Sequence, residues 1–260
     1  MTRQLNRQWR LRRNTGYLYA ADAQGFFLGR LGGVPVGSVS AVRYGPDFGF
    51  RGLYIVRAEY RGRGFGLELW RAALNHLGDR AIGLDGVIAQ QENYRRSGFR
   101  LAFRNIRQRG QGGGAAPAGL TELATVPFDE IARYDRIAFP GPREPFLKSW
   151  IAQPQAFALG AVSGRGLTGY GVLRACGQGF KIGPLFADDE GTAERLLAGL
   201  LARAPGAPVF LDTPEANPAA LALAARRGMA PVFEIARMYR NGALKMRLDR
   251  RFGVTSFELG

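Results

Sequence analysis

From Gly25 onward the chain reads as short apolar runs broken by turn residues. Phe26 to Arg30, Gly37 to Tyr44 and Gly52 to Val56 are separated by Gly-Gly-Val-Pro and Gly-Pro-Asp, which predicts three strands in an antiparallel meander. The period then changes. Leu67, Trp70, Ala73, Leu74 and Leu77 fall at helical spacing, so a helix follows the third strand. Ala81 to Ala89 predicts a strand beside Gly52 to Val56, Gln90 to Ser97 a short helix closed by Gly98, and Phe99 to Arg107 a further strand. Gly110 to Gly119, GQGGGAAPAG, has no packing residues and predicts a flexible connector at a domain boundary. Beyond it the pattern resumes. Leu120 to Val126 predicts a strand, Phe128 to Phe139 and Arg143 to Ile151 helices, and Phe157 to Val162, Thr168 to Ala175 and Phe180 to Phe186 strands. Thr192 to Arg203 and Pro218 to Arg227 predict helices that alternate with strands at Val209 to Asp212 and Val232 to Tyr239. The tail after Asn241 carries Phe252, Val254 and Phe257, enough apolar area to pack back as an edge strand or clasp, and no chemistry is read in it. The start reads poorly: Arg3, Arg7, Arg10, Arg12 and Arg13 crowd a segment with no helical stripe.

The two halves match each other. Arg43 and Arg174, Gly52 and Gly183, and Gly98 and Gly228 are offset by about 130 positions, a whole-domain repeat that indicates internal duplication. The expected domains are residues 1–109, a linker at 110–119, and residues 120–260.

The stretch with the most chemistry is GLYIVRAEYRGRGFG, Gly52 to Gly66, an apolar strand entering a turn of arginine and glycine that opens the helix. Gly62, Gly64 and Gly66 allow several backbone N–H groups to point at one anion with the helix dipole behind them, which suits a pyrophosphate. A P-loop is excluded because Leu67 and Glu68, not Lys and Ser/Thr, follow Gly66. The glycine spacing is also wrong for a dinucleotide fingerprint. Position by position, Arg61, Gly64 and Gly66 resemble the Arg/Gln-x-x-Gly-x-Gly/Ala acetyl-coenzyme A loop of the GNAT superfamily of N-acetyltransferases. Tyr94 with Gly98-Phe99 resembles that family's Tyr-x-x-x-Gly-Phe motif. The order of elements in both halves is similar to the bacterial tandem GNAT proteins, with an active first copy and a degenerate second one.

The resemblance implies a fold and a reaction. The fold is α/β, an α+β mixed sheet: two tandem GNAT-like domains, each a mostly antiparallel twisted sheet flanked by helices. A GNAT domain usually begins with a strand and two helices that shape the acceptor pocket, and Met1 to Gln24 is too short to hold all three. The reaction is acetyl transfer from acetyl-CoA to an amine by direct attack in a ternary complex. The coenzyme would take Tyr54, Ile55 and Val56 on the strand and Arg61, Gly62, Arg63, Gly64, Phe65 and Gly66 in the loop. A backbone N–H on the strand would face the oxyanion, and the Tyr94 hydroxyl would protonate the departing thiolate. Asp85 and Glu92 are the candidates for removing the amine proton. In the second half the loop is replaced by Ala187-Asp188-Asp189-Glu190, which suits capping and would repel a pyrophosphate, and Ala224 stands where Tyr94 does, so one coenzyme site is expected.

Composition narrows the alternatives. Hydrophobic content of 46% and charged content of 22% over 260 residues are those of an ordinary globular protein. No apolar run approaches a bilayer span, and the basic start has no apolar stretch after it, so a cytoplasmic protein is expected and no membrane partner. The net charge of +15 raises nucleic acid as a partner, but the basic residues are nearly all arginine, with Lys only at Lys148, Lys181 and Lys245, and are scattered through both halves, which argues against nucleic acid as a partner. The milder expectation is a positive field that attracts a polyanionic coenzyme. Lone Cys176 excludes an internal disulfide, and His76, the single histidine, lies where it can face a helix C-terminus rather than build a triad or metal site. The acceptor, a small-molecule or peptide amine, is not named by the sequence, nor is the oligomeric state. Asp212, Glu215 and Glu234 could offer it a carboxylate, although Asp212-Thr213-Pro214 also reads as a structural turn. Acetyl-CoA sensing without catalysis, RNA docking and tRNA-dependent aminoacyl transfer stay open as other functions.

Overall fold

In the computed structural model, residues 3–6, 16–242, 244 and 246–260 are described; Arg7, Arg10, Arg12, Arg13 and Lys245 lie outside them. Strand β1 (Arg3–Asn6) pairs with β2 (Phe26–Leu31), and a short helix α1 (Gly16–Ala21) stands between them in sequence. The expected meander continues as β3 (Val34–Tyr44) and β4 (Phe48–Val56), followed by helix α2 (Phe65–Leu77), β5 (Ala81–Val87), α3 (Gln91–Arg96) and β6 (Arg100–Gln111). The second half opens with β7 (Leu120–Glu122), α4 (Phe128–Ala138) and α5 (Glu144–Ile151). It then repeats the first: β8 (Ala156–Ser163), β9 (Gly166–Cys176), β10 (Gly179–Ala187), α6 (Glu190–Ala202), β11 (Pro208–Pro214), α7 (Pro218–Arg226) and β12 (Ala230–Arg240). A short β13 (Arg251–Gly253) lies in the tail.

The halves share one mixed, mostly antiparallel sheet of order β1-β2-β3-β4-β5-β12-β6-β11-β10-β9-β8-β7, and they do so by exchanging their last strands. β12 from the second half lies against β5 of the first, Arg237 opposite Asp85, and β6 from the first lies against β11 of the second, Arg107 opposite Asp212. Each half is therefore completed by the other. The glycine stretch does not begin as the free connector its composition predicts. Gly110 and Gln111 belong to β6, Gly112 N–H donates to Ala207 O at 2.9 Å and Gly113 N–H to Leu201 O at 2.7 Å. A Cβ on Gly112 would overlap the Ala204 carbonyl, so here glycine serves close approach rather than flexibility.

Alternation along the strands builds three apolar layers. Ala41, Ile82 and Leu84 face α2 and α3, where Leu69 and Leu77 are about 1% exposed or less and each contributes roughly 1.5–3 kcal/mol by burial. The matching face of the second half packs under α6 and α7. Residues of opposite parity, Val42, Phe48, Phe50, Tyr170 and Val172, join α1, α4, α5 and Leu259 in one core that spans both halves. Helices of the second half thus pack against the first, with Tyr17 of α1 edge-on to Trp150 of α5 at 4.9 Å. His76 does not simply face its helix end. Its Nε2 lies 3.1 Å from Asp22 Oδ2, and Arg43 Nε donates to the same oxygen. Burial works to raise Asp22, but these hydrogen bonds outweigh it and hold the carboxyl at about 2.

Candidate active site

The site begins where β4 leaves β5. Parallel pairing joins Phe48–Arg51 to Ala81–Leu84 and stops; β4 then stays with β3 and β5 with β12. The separation starts at a bulge, in which Leu53 takes φ 46° and Val39 faces two residues of β4 between the pairs Ser40–Gly52 and Ser38–Ile55. Ser38 Oγ donates to the Leu53 carbonyl at 3.1 Å and holds it. Among the described residues, β4 from Gly52 to Val56 has no strand partner on its β5 side, so backbone groups there are left for a ligand.

A cleft of about 880 Å³ fills this opening. Of the residues singled out in the sequence, Tyr54, Ile55, Val56, Arg61, Gly62, Gly64, Gly66, Asp85 and Tyr94 line it, whereas Arg63, Phe65 and Glu92 do not. Phe65 is buried in the helix packing, Arg63 lies 5.4 Å from the rings of Tyr60 and Phe65, and exposed Glu92 pairs with Arg95 and Arg96. Leu67, expected on the buried stripe of α2, is 51% exposed and lines the cleft instead, because the helix starts at Phe65.

At one end of the cleft is the glycine loop. Gly62 and Gly64 have φ of 69° and 86°, and Gly64 caps α2, a 13-residue helix, without any side-chain hydrogen bond. Arg61 Nε donates to Val56 O at 3.1 Å, tying the loop to the strand. Gly66 is needed for close approach, since a Cβ there would lie 2.5 Å from the Tyr54 hydroxyl, which rests on the helix start.

At the other end is Tyr94. Gly98, in the left-handed region at φ 85°, ends α3 so that Phe99 N–H returns to Tyr94 O at 3.1 Å. The ring stacks on Trp70 at 5.5 Å and 10°, and Gly86 on β5 gives it room, since a Cβ there would overlap it. Burial raises the phenol above its ordinary range, partly opposed by the charge of Arg51. Arg51, which the sequence reading passed over, is 3% exposed, its guanidinium 3.4 Å from the Trp70 ring centroid and 4.4 Å from that of Tyr54. Its Nε and Nη2 have no hydrogen-bond partner among the described residues, and burial pulls the group down to about 9.

Residues 2–99 match the acetyltransferase (GNAT) family and residues 131–253 the acetyltransferase (GNAT) domain. Holothin acyltransferase of Pseudoalteromonas sp. (strain SANK 73390) is 30% identical over 250 residues, 95% of this chain and 85% of that protein. The chain belongs to the GNAT family. It is an acyltransferase with two GNAT domains in tandem, and the donor in this family is an acyl-CoA. The fold is shared with a candidate acetyltransferase of Pyrococcus horikoshii, TM-score 0.83 at 24% identity over 94% of this chain and 83% of that one. It is also shared with a tandem GNAT protein from the clavulanic acid pathway, TM-score 0.57 at 18% identity, covering 85% and 83%.

The corresponding opening of the second GNAT copy is filled by the chain itself. β13 pairs with β10, and Val254 N–H donates to Asp212 O of β11 at 2.9 Å, so the tail lies between the two strands that would have to part. Gly183 of β10 accommodates it, because a Cβ would meet the carbonyls of Val254 and Thr255. Where the first copy has an uncapped helix, Asp189 Oδ1 accepts from Thr192 N–H at 2.8 Å and closes α6.

The carboxylates singled out in the sequence are engaged. Asp85 is fully buried and accepts from Arg237 Nε and Nη2 at 2.6 and 2.7 Å and from Asn105 Nδ2 at 3.0 Å. Asp212 is held by Arg107 and Lys181, and Glu215 and Glu234 are both held by Arg104. Four lining residues of the second half had no signal as a site in the sequence: Phe233 and Ile235 of β12 and Phe257 and Glu258 of the tail. The first two arrive by strand exchange. The apolar content of the tail predicted packing, but nothing in it pointed to the first-half cleft.

Proposed function

We propose that the protein transfers an acetyl group from acetyl-CoA to a primary amine by direct attack in a ternary complex at the first-half cleft. The observation that carries this reading is that one continuous cleft joins an uncapped, glycine-opened helix N-terminus to the hydroxyl of Tyr94 along an unpaired strand edge. The pyrophosphate takes the backbone amides of the loop between Arg61 and Gly66, with Arg61 adding charge. The pantetheine arm lies along Gly52 to Val56, where a backbone N–H polarises the thioester carbonyl. The amine nitrogen attacks that carbon, a C–N bond forms, and collapse of the tetrahedral intermediate breaks the C–S bond as Tyr94 gives its proton to sulfur. Burial keeps the Tyr94 phenol protonated at neutral pH, so it is ready as a donor. The second copy, closed by the tail and by the Asp189 cap, acts as support and holds no coenzyme. We place the enzyme in the cytoplasm, with its acyl-CoA supply.

The test combines calorimetry of CoA and acetyl-CoA with detection of acylated amine by mass spectrometry, over a panel that includes holothin, the molecule in the name of the curated relative, and longer acyl-CoAs as rival donors. Micromolar CoA binding with acetyl transfer to at least one primary amine is expected. A protein that binds no CoA, or that acylates only with a longer acyl donor, overturns the reading.

A further inference from the structure

One buried charge beside the cleft has no counter-charge in the protein, and, resting on the reading above, it stands near the proton donor of the reaction. We propose that Arg51 is an electrostatic positioning residue: acting through Tyr94, its charge stabilises the anion shared by the Tyr94 oxygen and the coenzyme sulfur as the thioester breaks.

Arg51 forms the last ladder pair of β4 with β5, opposite Leu84, so it stands where the two strands part. Ala41 lies opposite it on β3, and strand parity puts all three on the face covered by α2 and α3, with Trp70 and Tyr94. The guanidinium stacks on Trp70 and Tyr54, which returns part of the hydration a buried charge gives up. The rest is not made good. All 21 Asp and Glu residues of the chain are among the described residues and none pairs with Arg51. Asp85, the next residue along β5, is held by Arg237. Nε and Nη2 of Arg51, and Nε1 of Trp70 in the same cluster, are buried with no acceptor among the described residues. The ionisable groups that feel the Arg51 charge are the hydroxyls of Tyr94 and Tyr54, and both residues line the cleft. Three buried N–H groups and no carboxylate make a place suited to an anion.

The reaction creates one. An uncharged amine adds to the carbonyl, the C–S bond breaks with its electron pair on sulfur, and the Tyr94 O–H proton moves to that sulfur. The proton that nitrogen sheds on becoming an amide restores the phenol. Transfer from phenol to thiolate is the weak step. In water a phenol is the weaker acid by about 1.5 in pKa, and burial raises Tyr94 further. A fixed cation lowers the cost of negative charge on either atom, and the charge of Arg51 is what opposes burial at Tyr94. A carboxylate paired with Arg51 would cancel that field, so leaving the charge unpaired serves the reaction.

The experiment titrates CoA and desulfo-CoA, which lacks the S–H, into the unaltered protein, Arg51→Met and Arg51→Lys, by calorimetry in two buffers of different ionisation enthalpy, which counts the protons released on binding. At about pH 8 a free thiol is mostly protonated, and Arg51, pulled down to about 9, keeps its charge. The unaltered protein should release at least about half a proton per CoA and none per desulfo-CoA, because a thiol beside a cation ionises more readily. Arg51→Met should release none with either ligand, and Arg51→Lys, which keeps the charge, should release it again. That count needs no acceptor. Acetyl transfer to hydroxylamine, a small amine uncharged at this pH, should fall about 10²-fold in kcat in Arg51→Met, with acetyl-CoA affinity within about threefold. Adding Tyr94→Phe should lower kcat only a few-fold further, because both changes act on one anion. With an unpaired buried charge removed, Arg51→Met should melt no lower than the unaltered protein. Proton release that Arg51→Met retains or the unaltered protein lacks, an unchanged kcat, losses that multiply with Tyr94→Phe, or a lower melting point with proton release and kcat intact overturns the proposal. If the unaltered protein binds no CoA, it is the coenzyme reading that falls.

Discussion

Replacing Asp85 by asparagine separates two roles for one carboxylate, a base for the incoming amine or one half of a structural pair. The pair with Arg237 is closed from water, with side-chain exposures of 0% and 2%, and Arg237 is otherwise surrounded by the Tyr239 hydroxyl at 3.4 Å and the rings of Phe50 and Phe103. Removing one partner of a buried pair leaves an uncompensated charge and costs about 3–5 kcal/mol. At roughly 2–4 °C per kcal/mol for a chain of this size, Asp85→Asn should melt about 6–20 °C below the unaltered protein. Replacing both partners, Asp85→Leu with Arg237→Met, removes the charge along with its counter-charge and should recover most of that loss. Calorimetric melting of both variants, with acetyl transfer measured well below each midpoint, decides the question. The structural role requires the double variant to transfer within a few-fold of the unaltered rate. An Asp85→Asn variant that melts normally but transfers about 10²-fold more slowly, or a stable double variant that is inactive, would refute this reasoning and restore Asp85 as the base.

Four further outcomes are expected. Gly64→Val should abolish CoA binding in calorimetry, since φ 86° strains any β-branched residue and the added side chain would enter the open space in front of α2; unchanged affinity removes the phosphate loop from the account. Native mass spectrometry should show one CoA per chain at saturation, because β13 and the Asp189 cap occupy the second copy, and two would contradict it. Tyr94→Phe keeps the stack on Trp70 and should preserve CoA affinity while kcat falls about 10²-fold, roughly 3 kcal/mol in the barrier; an unaltered rate would reduce Tyr94 to packing. Asp22, depressed from 3.8 to about 2, contributes stability that is present above pH 4 and lost as pH falls through about 2. Acid titration of Asp22→Asn should therefore lack that limb, and a curve identical to the unaltered protein's would show that the His76 and Arg43 contacts carry no weight.

The local unit of strand, glycine loop and helix was determined by the sequence, because each step in it is short-range. Gly62 and Gly64 permit a positive φ, the apolar spacing sets the helix, and Gly98 returns Phe99 to Tyr94 within one turn. The duplication was equally legible, since both copies keep the same order of elements, and so was the Asp189 cap at the start of α6, a contact three residues long. Which strand lies beside which was not. β6 and β12 carry similar alternating patterns, and nothing along either one encodes whether its neighbour comes from its own half or the other, so the exchange that brings Phe233 and Ile235 to the cleft was decided by the tertiary structure alone. The fate of the charged residues follows from the same cause. Asp85 reads as a free carboxylate on a strand until Arg237, 152 residues away, is placed across the ladder from it, and Glu258 reads as part of a featureless tail until Gly52 gives its backbone a seat. Local pattern fixes φ, ψ and parity. The pairing of a buried charge depends on which distant partner the packing supplies, and that depends on the free energy of the whole fold.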